Sequence, residues 1–288
     1  MISGLTEEQW LIIEWVNGLT TGLSLLGELF MILSYCAIPS IRRYSMKLVV
    51  SLVFTDLIYS ISCILTYYNS KDNICFIEGA IRTIAVLAGV AWSLIIMNTS
   101  YVQIMSPNPE ISKTYRSSFI KALLIGCVPT MIAIIGHLVG VGPYFGAALG
   151  FCSLLPETDN IVIVQLPQWI CIIVTFVYAF KIINEMKRKF VTNSMNEYRA
   201  ILIYPLITII CWLPVSINRI IFAFHGTVFP LMVAHIATTR IQGFLNALVY
   251  GKSEIRKIKN HFFSRKTHMM DSIDTIVKEI YLESTSIN

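Results

Sequence analysis

Seven long apolar runs divide this chain, at roughly 17–37, 46–67, 75–103, 118–138, 161–181, 199–224 and 229–250. A helix crossing a bilayer needs about 20 apolar residues, and in lipid each backbone polar group must be paired within its own segment or in a closed barrel. Barrel-like alternation is absent, so seven membrane-spanning helices are predicted. The linkers between them are unequal in charge. Arg42, Arg43 and Lys47 follow the first run, Lys187, Arg188, Lys189 and Arg199 the fifth, and Lys252, Arg256, Lys257, Lys259, Arg265 and Lys266 the seventh. The segment 140–160 carries Glu157 and Asp159 with no Lys or Arg, and residues 1–16 are acidic. Basic loops stay cytoplasmic, which puts the N-terminus outside. The predicted fold class is therefore an all-α membrane protein, a seven-transmembrane helix bundle. Residues 1–16 form an extracellular N-terminus, 17–250 the bundle, 251–263 a short amphipathic cytoplasmic helix and 264–288 a cytoplasmic tail. With Glu7, Glu8 and Glu14 and no basic residue ahead of it, the first span is expected to act as its own insertion signal.

Composition sharpens this picture. Hydrophobic residues make up 55% of the 288 and charged residues only 14%, well outside a soluble domain. The mean hydropathy of +0.68 agrees. The net charge of +5 then reports loop topology, and no nucleic-acid partner is implied. Of the seven cysteines, Cys75 heads the third span and Cys152 lies in the long outer loop, so a Cys75–Cys152 disulfide suits an oxidising exterior. The other five sit in or beside spans and read as buried apolar residues.

The charges inside the spans carry the chemistry. Glu28 in span one is expected to face the bundle or be protonated, since an ionised side chain at mid-bilayer costs roughly 2.5–3.5 kcal/mol. Asp56 in span two is either a structural contact between helices or part of a switch or ion site. Span three contains Glu78 and Arg82, span six Arg219 and span seven Arg240. Two readings of the arginines stand: they pair with Glu78, Glu28 or Asp56, or they form an outer pocket in which guanidiniums meet phosphate or carboxylate. In span six, Cys211-Trp212-Leu213-Pro214 sets a bulky indole beside a proline that removes a backbone hydrogen bond and kinks the helix. A polar seam of Arg240, Gln242, Asn246 and Tyr250 runs along span seven. His137, His225 and His235 are too widely spaced for a metal site, and no metal or cofactor is expected.

The set Trp92, Asn98 and Tyr101 in span three, Trp212 with Asn218-Arg219-Ile220 in span six, and the run IQGFLNALVYG (241–251) ahead of a basic helix resemble the cyclic-AMP-receptor-like family of G-protein-coupled receptors. The resemblance covers roughly 17–263. The Asp-Arg-Tyr signature of rhodopsin-like receptors is missing near Ser100-Tyr101-Val102, and span seven lacks their proline around Asn246–Tyr250. Both departures point away from the rhodopsin-like class.

The resemblance implies a receptor and not an enzyme, with a small extracellular ligand, cyclic AMP or a similar anion, and a heterotrimeric G protein as partners. Ligand-binding residues are then Arg82, Glu78, Arg219, Arg240 and Gln242. Switch residues are Trp212, Pro214, Asn246, Tyr250 and Asp56. Arg42, Arg43, Lys187 and Arg188 face the G protein, and membrane lipid holds Ile255, Ile258, Phe262 and Phe263 of the post-span helix. The competing class is a seven-span transporter or channel using the intramembrane charges as a permeation path. It calls for pseudo-repeats between the two halves, which are not visible. A retinal protein is disfavoured because span seven has no lysine.

Overall fold

The inside-out distribution of side chains in the computed structural model, small and polar residues buried and large apolar ones exposed, is that of a membrane bundle. The structure describes residues 5–68, 72–105, 115–140, 145–148, 151–154, 161–188, 195–226, 228–255 and 258. In α1 (Glu7–Ala37) the buried face is Asn17, Thr20, Thr21, Ser24, Gly27 and Glu28, while Trp15, Leu19, Leu26 and Leu33 point outward. In α4 (Tyr115–Val139) the buried face is Ser118, Ala122, Gly126, Thr130 and Ala133, with Leu124, Val128, Ile132 and Ile135 exposed. Water would penalise such surfaces heavily, whereas hydrocarbon solvates them and leaves small residues to bring helices together.

The remaining helices are α2 (Tyr44–Tyr68), α3 (Asp72–Met105), α5 (Leu166–Arg188) and α6 (Met195–His225). These six are long and apolar enough to cross a membrane. A further helical run, α7, occupies 229–255. The third helix is central: 72% of its membrane-length stretch is buried, against 22% for α4.

Local signals fix the ends. A capping box starts α1, with Gln9 N donating to Thr6 Oγ1 at 3.3 Å and Thr6 N to Gln9 Oε1 at 3.1 Å. Helix therefore begins ten residues before the apolar run, because a cap and an acidic first turn, Glu7 and Glu8, suit a helix N-terminus in water. At its other end Pro39 opens a short 3-10 turn, Pro39–Ile41, and Arg42 donates to the carbonyls of Tyr35 and Cys36.

Beside the helices, the segment between α4 and α5 forms a short antiparallel hairpin, β1 (Phe145–Ala148) with β2 (Phe151–Leu154), paired Phe145 to Leu154 and Ala148 to Phe151. A glycine-rich run is a poor helix former, and pairing two short strands satisfies its backbone instead. Phe145 anchors the hairpin over α3. It meets Phe76 edge-on at 5.3 Å, its N–H donates to His137 Nδ1 at 3.3 Å, and His137 stacks on Phe76 at 4.8 Å. Cys75 beside this anchor is disulfide-bonded, and Cys36, Cys63, Cys127, Cys171 and Cys211 are free. Cys152 lies in β2, with its side chain outside the described residues.

Helices α1 and α7 approach closely at two glycines. A Cβ at Gly27 would stand 2.8 Å from Ala247 Cβ and 3.1 Å from Gly243 O. A Cβ at Gly243 would overlap the side chains of Glu28 and Ser24. The glycines are needed here for space, since a side chain on either would part the two helices.

Candidate functional site

An arginine of α7 lies against a tyrosine of α2. Arg240 of α7 lies over the Tyr59 ring, its Cζ 4.8 Å from the centroid. Arg82 of α3 and Arg219 of α6 are both within electrostatic range of the same phenol. Thr239 neighbours the Tyr59 hydroxyl as well. Sequence reasoning grouped the arginines by depth but missed Tyr59, which reads as one more aromatic in the run LIYSISC (57–63).

Their environments differ. Arg82 is buried and paired: it donates to Glu78 Oε1 at 2.8 Å, one helical turn away, and to the Ser62 carbonyl at 3.1 Å. Arg219 makes no ion pair among the described residues, and its Nε is buried without a hydrogen-bond partner. Beside it Asn218 Nδ2 and His235 Nδ1 are 3.0 Å apart. The pairing reading thus holds for Arg82 with Glu78, whereas neither Glu28 nor Asp56 forms an ion pair with an arginine among the described residues. A bundle interior that desolvates guanidiniums without matching every one to a carboxylate is receptive to an anion.

Below this cluster, near Pro214 of α6, three switch candidates, Trp212, Asp56 and Asn246, are joined through Gln242 into one hydrogen-bonded chain. Trp212 Nε1 donates to Gln242 Oε1 at 3.0 Å. Gln242 Nε2 donates to Asp56 Oδ1 at 3.0 Å and Oδ2 at 3.2 Å, and Asn246 Nδ2 donates to Asp56 Oδ2 at 3.1 Å. Gln242, expected among the ligand contacts, therefore sits one layer deeper, between Trp212 and Asp56. Its position two residues after Arg240 explains the difference, because that step turns the side chain to another face of the helix. The Tyr59 ring touches Trp212 with centroids 6.1 Å apart, so the arginine cluster and the Asp56 chain meet at the indole. Glu28 is fully buried nearby and accepts from Ser24 Oγ and Ser60 Oγ, both at 2.9 Å. A further bond ties the kinked helix to α3, Ser93 Oγ donating to Thr208 Oγ1 at 2.9 Å.

Toward the inner end, Tyr250 is fully buried with Tyr204 in a cluster that also holds Ile41, Met46 and Ala247, and Ile258 packs against it. Tyr250, one of the expected switch residues, is thus covered in this conformation, with Tyr204 of α6 in the same buried cluster. The basic residues expected there are partly engaged too. Arg42 caps α1, and Arg43 NH2 donates to Glu254 Oε1 at 2.6 Å. Glu254, itself 4% exposed on its side chain, was overlooked within a basic stretch. The side chains of Lys187 and Arg188 lie outside the described residues, as do the post-span helix beyond 255 save Ile258 and the tail 259–288. Among the described residues no group of three or more His, Cys, Asp or Glu is placed to hold a metal ion.

Six membrane-length helices around a polar core describe a multi-pass membrane protein. Comparison with known proteins agrees. No family model matches the chain. It is similar to G-protein coupled receptor 1 of Arabidopsis thaliana, 26% identical over 276 residues that cover 88% of this chain and 82% of that one. It is also similar to Cyclic AMP receptor-like protein A of Dictyostelium discoideum, 22% identical over 255 residues covering 86% of this chain and 66% of the relative. Both names accord with the resemblance drawn from IQGFLNALVYG and the span-six residues, and both indicate receptors rather than enzymes.

Proposed function

We propose that the chain is a seven-span G-protein-coupled receptor, its N-terminus outside, that senses a small anionic extracellular ligand at the plasma membrane. The seventh span is α7, and the basic inner linkers set the orientation. The observation that carries the ligand class is the Arg219 guanidinium, its Nε buried without a hydrogen-bond partner, in the same bundle interior as Arg240 over the Tyr59 ring. A cyclic phosphodiester such as cyclic AMP suits that cluster, and the name of the Dictyostelium relative favours it. Binding biases α6 between two arrangements about Pro214, and the inner end opens by parting Tyr204 from the Tyr250 cluster. A heterotrimeric G protein then docks a helix in the groove so formed, bordered by Arg42, Arg43, Lys187 and Arg188. The transporter alternative gains no support from the site, since Glu28, Asp56, Arg82 and Arg240 are engaged in hydrogen bonds and a ring contact that tie helices together.

Cyclic-AMP-stimulated nucleotide exchange on G protein, in membranes bearing the receptor, tests this reading. Saturable stimulation is expected, and its loss in Pro214→Ala should leave surface expression intact. Bound cyclic AMP with no exchange on any G-protein class would remove the transducer from the mechanism.

A further inference from the structure

We propose that His235 completes the anion site: an anion arriving at Arg219 brings a proton with it onto the imidazole. The proposal rests on the anionic-ligand reading and adds to it a second, co-bound ligand. Two consecutive residues of α6 frame the ring. Asn218 presents Nδ2 to His235 Nδ1 at 3.0 Å, and Arg219 is close enough for its charge to act on the same imidazole. An amide nitrogen donates and has no lone pair to offer, so Nδ1 accepts and the ring is neutral, its hydrogen on Nε2. His235 precedes Arg240 by five residues on α7, toward the outside in the proposed orientation.

Arg219 explains why the ring is neutral. A guanidinium keeps its charge at every relevant pH, and a like charge beside it is disfavoured. Its Nε is buried without a hydrogen-bond partner, and it forms no ion pair among the described residues. An anion bonded to that guanidinium cancels the repulsion and adds an attraction of its own, so the imidazole takes up a proton from solvent at Nδ1. Asn218 serves both states, because a half-turn of its amide presents Oδ1 to the new N–H. The other neighbours leave this part to Arg219. Met232 and Ile236 on the same helix pack with Ile13 and Trp10 of α1, none of them charged. Glu7, Glu8 and Glu14 of α1 are exposed. The remaining charges of the cluster are Arg240 over Tyr59 and Arg82 with Glu78. The bound state thus holds one more proton than the free state, and affinity rises as pH falls between the two titrations of the ring.

Equilibrium binding of radiolabelled cyclic AMP to the full-length receptor, purified in detergent, is measured from about pH 5.5 to about pH 8. The phosphodiester keeps one negative charge throughout, so the slope belongs to the protein. Displacing the ring's titration by one pH unit is worth tenfold, so wild type should bind about tenfold more tightly at the acid end. His235→Gln should vary by less than about twofold over the same range. In weak buffer an indicator dye should show proton uptake with binding by wild type and none by the variant. Affinity flat with pH in wild type, or a slope that His235→Gln leaves intact, overturns the proposal. His235→Asn replaces His235→Gln should the latter fail to fold.

Sulfate is a second probe, independent of the nucleotide, and its charge is also constant across this range. The thermal midpoint is read by a thiol-reactive dye on the buried cysteines. Sulfate stabilises proteins generally by exclusion from their surface, and Arg219→Gln measures that background. Above it, wild type should be stabilised more at the acid end, and His235→Gln equally at both. That result without nucleotide binding removes cyclic AMP as the ligand and keeps the proton-linked site. Stabilisation with no acid preference overturns the role of His235 and keeps the anion reading. No effect of either probe overturns both.

Discussion

Replacing Gln242 by leucine removes both halves of the bridge between Trp212 and Asp56 while keeping the side chain's bulk. In the native protein its amide oxygen accepts from the indole at 3.0 Å, and its amide nitrogen reaches both Asp56 oxygens at 3.0 and 3.2 Å. All three residues are under a tenth exposed, so water does not repair the loss. An orphaned buried donor costs about 1–3 kcal/mol, but interhelical hydrogen bonds in membranes average nearer 0.6 kcal/mol and reach about 1.7. Two such bonds then total roughly 1–3 kcal/mol. For a chain of this size that lowers the thermal midpoint by about 3–10 °C. The assay is again dye labelling of Cys63, Cys171 and Cys211, which are buried when folded, with exposed Cys36 as a constant background. Trp212→Phe removes the donor at the indole end, so Gln242→Leu should cost less in that background than in the wild type. A Gln242→Leu midpoint within about 1 °C of wild type, or a cost unchanged by Trp212→Phe, would refute the bridge.

Three further outcomes follow from the geometry. Gly243→Ala sets a methyl where the Glu28 and Ser24 side chains stand. Overpacking of that kind costs about 1–3 kcal/mol, to be seen as lowered folded yield and midpoint, whereas Gly18→Ala, with open space at its Cβ, should be neutral. Glu254→Gln weakens the 2.6 Å contact with Arg43 by about 1–2 kcal/mol and should raise ligand-independent nucleotide exchange severalfold, with Arg43→Gln giving the same rise. Unchanged basal exchange in both would deny that ion pair a restraining role. Non-reducing peptide mapping of denatured, alkylated receptor should find Cys75 linked to Cys152 and five modified thiols; a Cys75 peptide joined elsewhere would contradict the pairing.

The helices were legible because lipid leaves few alternatives: a long uncharged run has to close its backbone hydrogen bonds within itself. Intramembrane charges were legible for a related reason, since Arg82, Arg219, Arg240 and Asp56 are too costly to bury without use. What those charges touch was less so. Tyr59 and Trp212 are aromatic in a chain rich in aromatics, and only their position across helices distinguishes them from packing residues. Likewise Gly243 gains its meaning from Glu28, 215 positions earlier in the sequence. The bonds of Gln242 to Trp212 and Asp56 were not legible, because sequence gives its depth in the helix but not the direction of its side chain. The hairpin at 145–154 escaped notice since glycine and alanine carry little strand signal, and its anchors, Phe76 and His137, lie in other elements. Glu254 was hidden by the basic residues around it, though its carboxylate closes the inner end.

Equilibrium binding of cyclic AMP to the purified, folded receptor, beside Arg82→Ala, Arg219→Ala and Arg240→Ala, tests the arginine cluster most directly. Each charge-assisted hydrogen bond to a phosphate is worth about 1.5–3 kcal/mol, so losing a contacting guanidinium should weaken binding by roughly 10- to 100-fold. Saturable binding is expected in the wild type, with losses of that size for Arg219→Ala and Arg240→Ala. Arg82→Ala should cost affinity and stability together, because it also strands Glu78. Binding that all three substitutions leave intact would contradict the arginine cluster as the ligand site, and no binding by folded wild type would contradict cyclic AMP as the ligand.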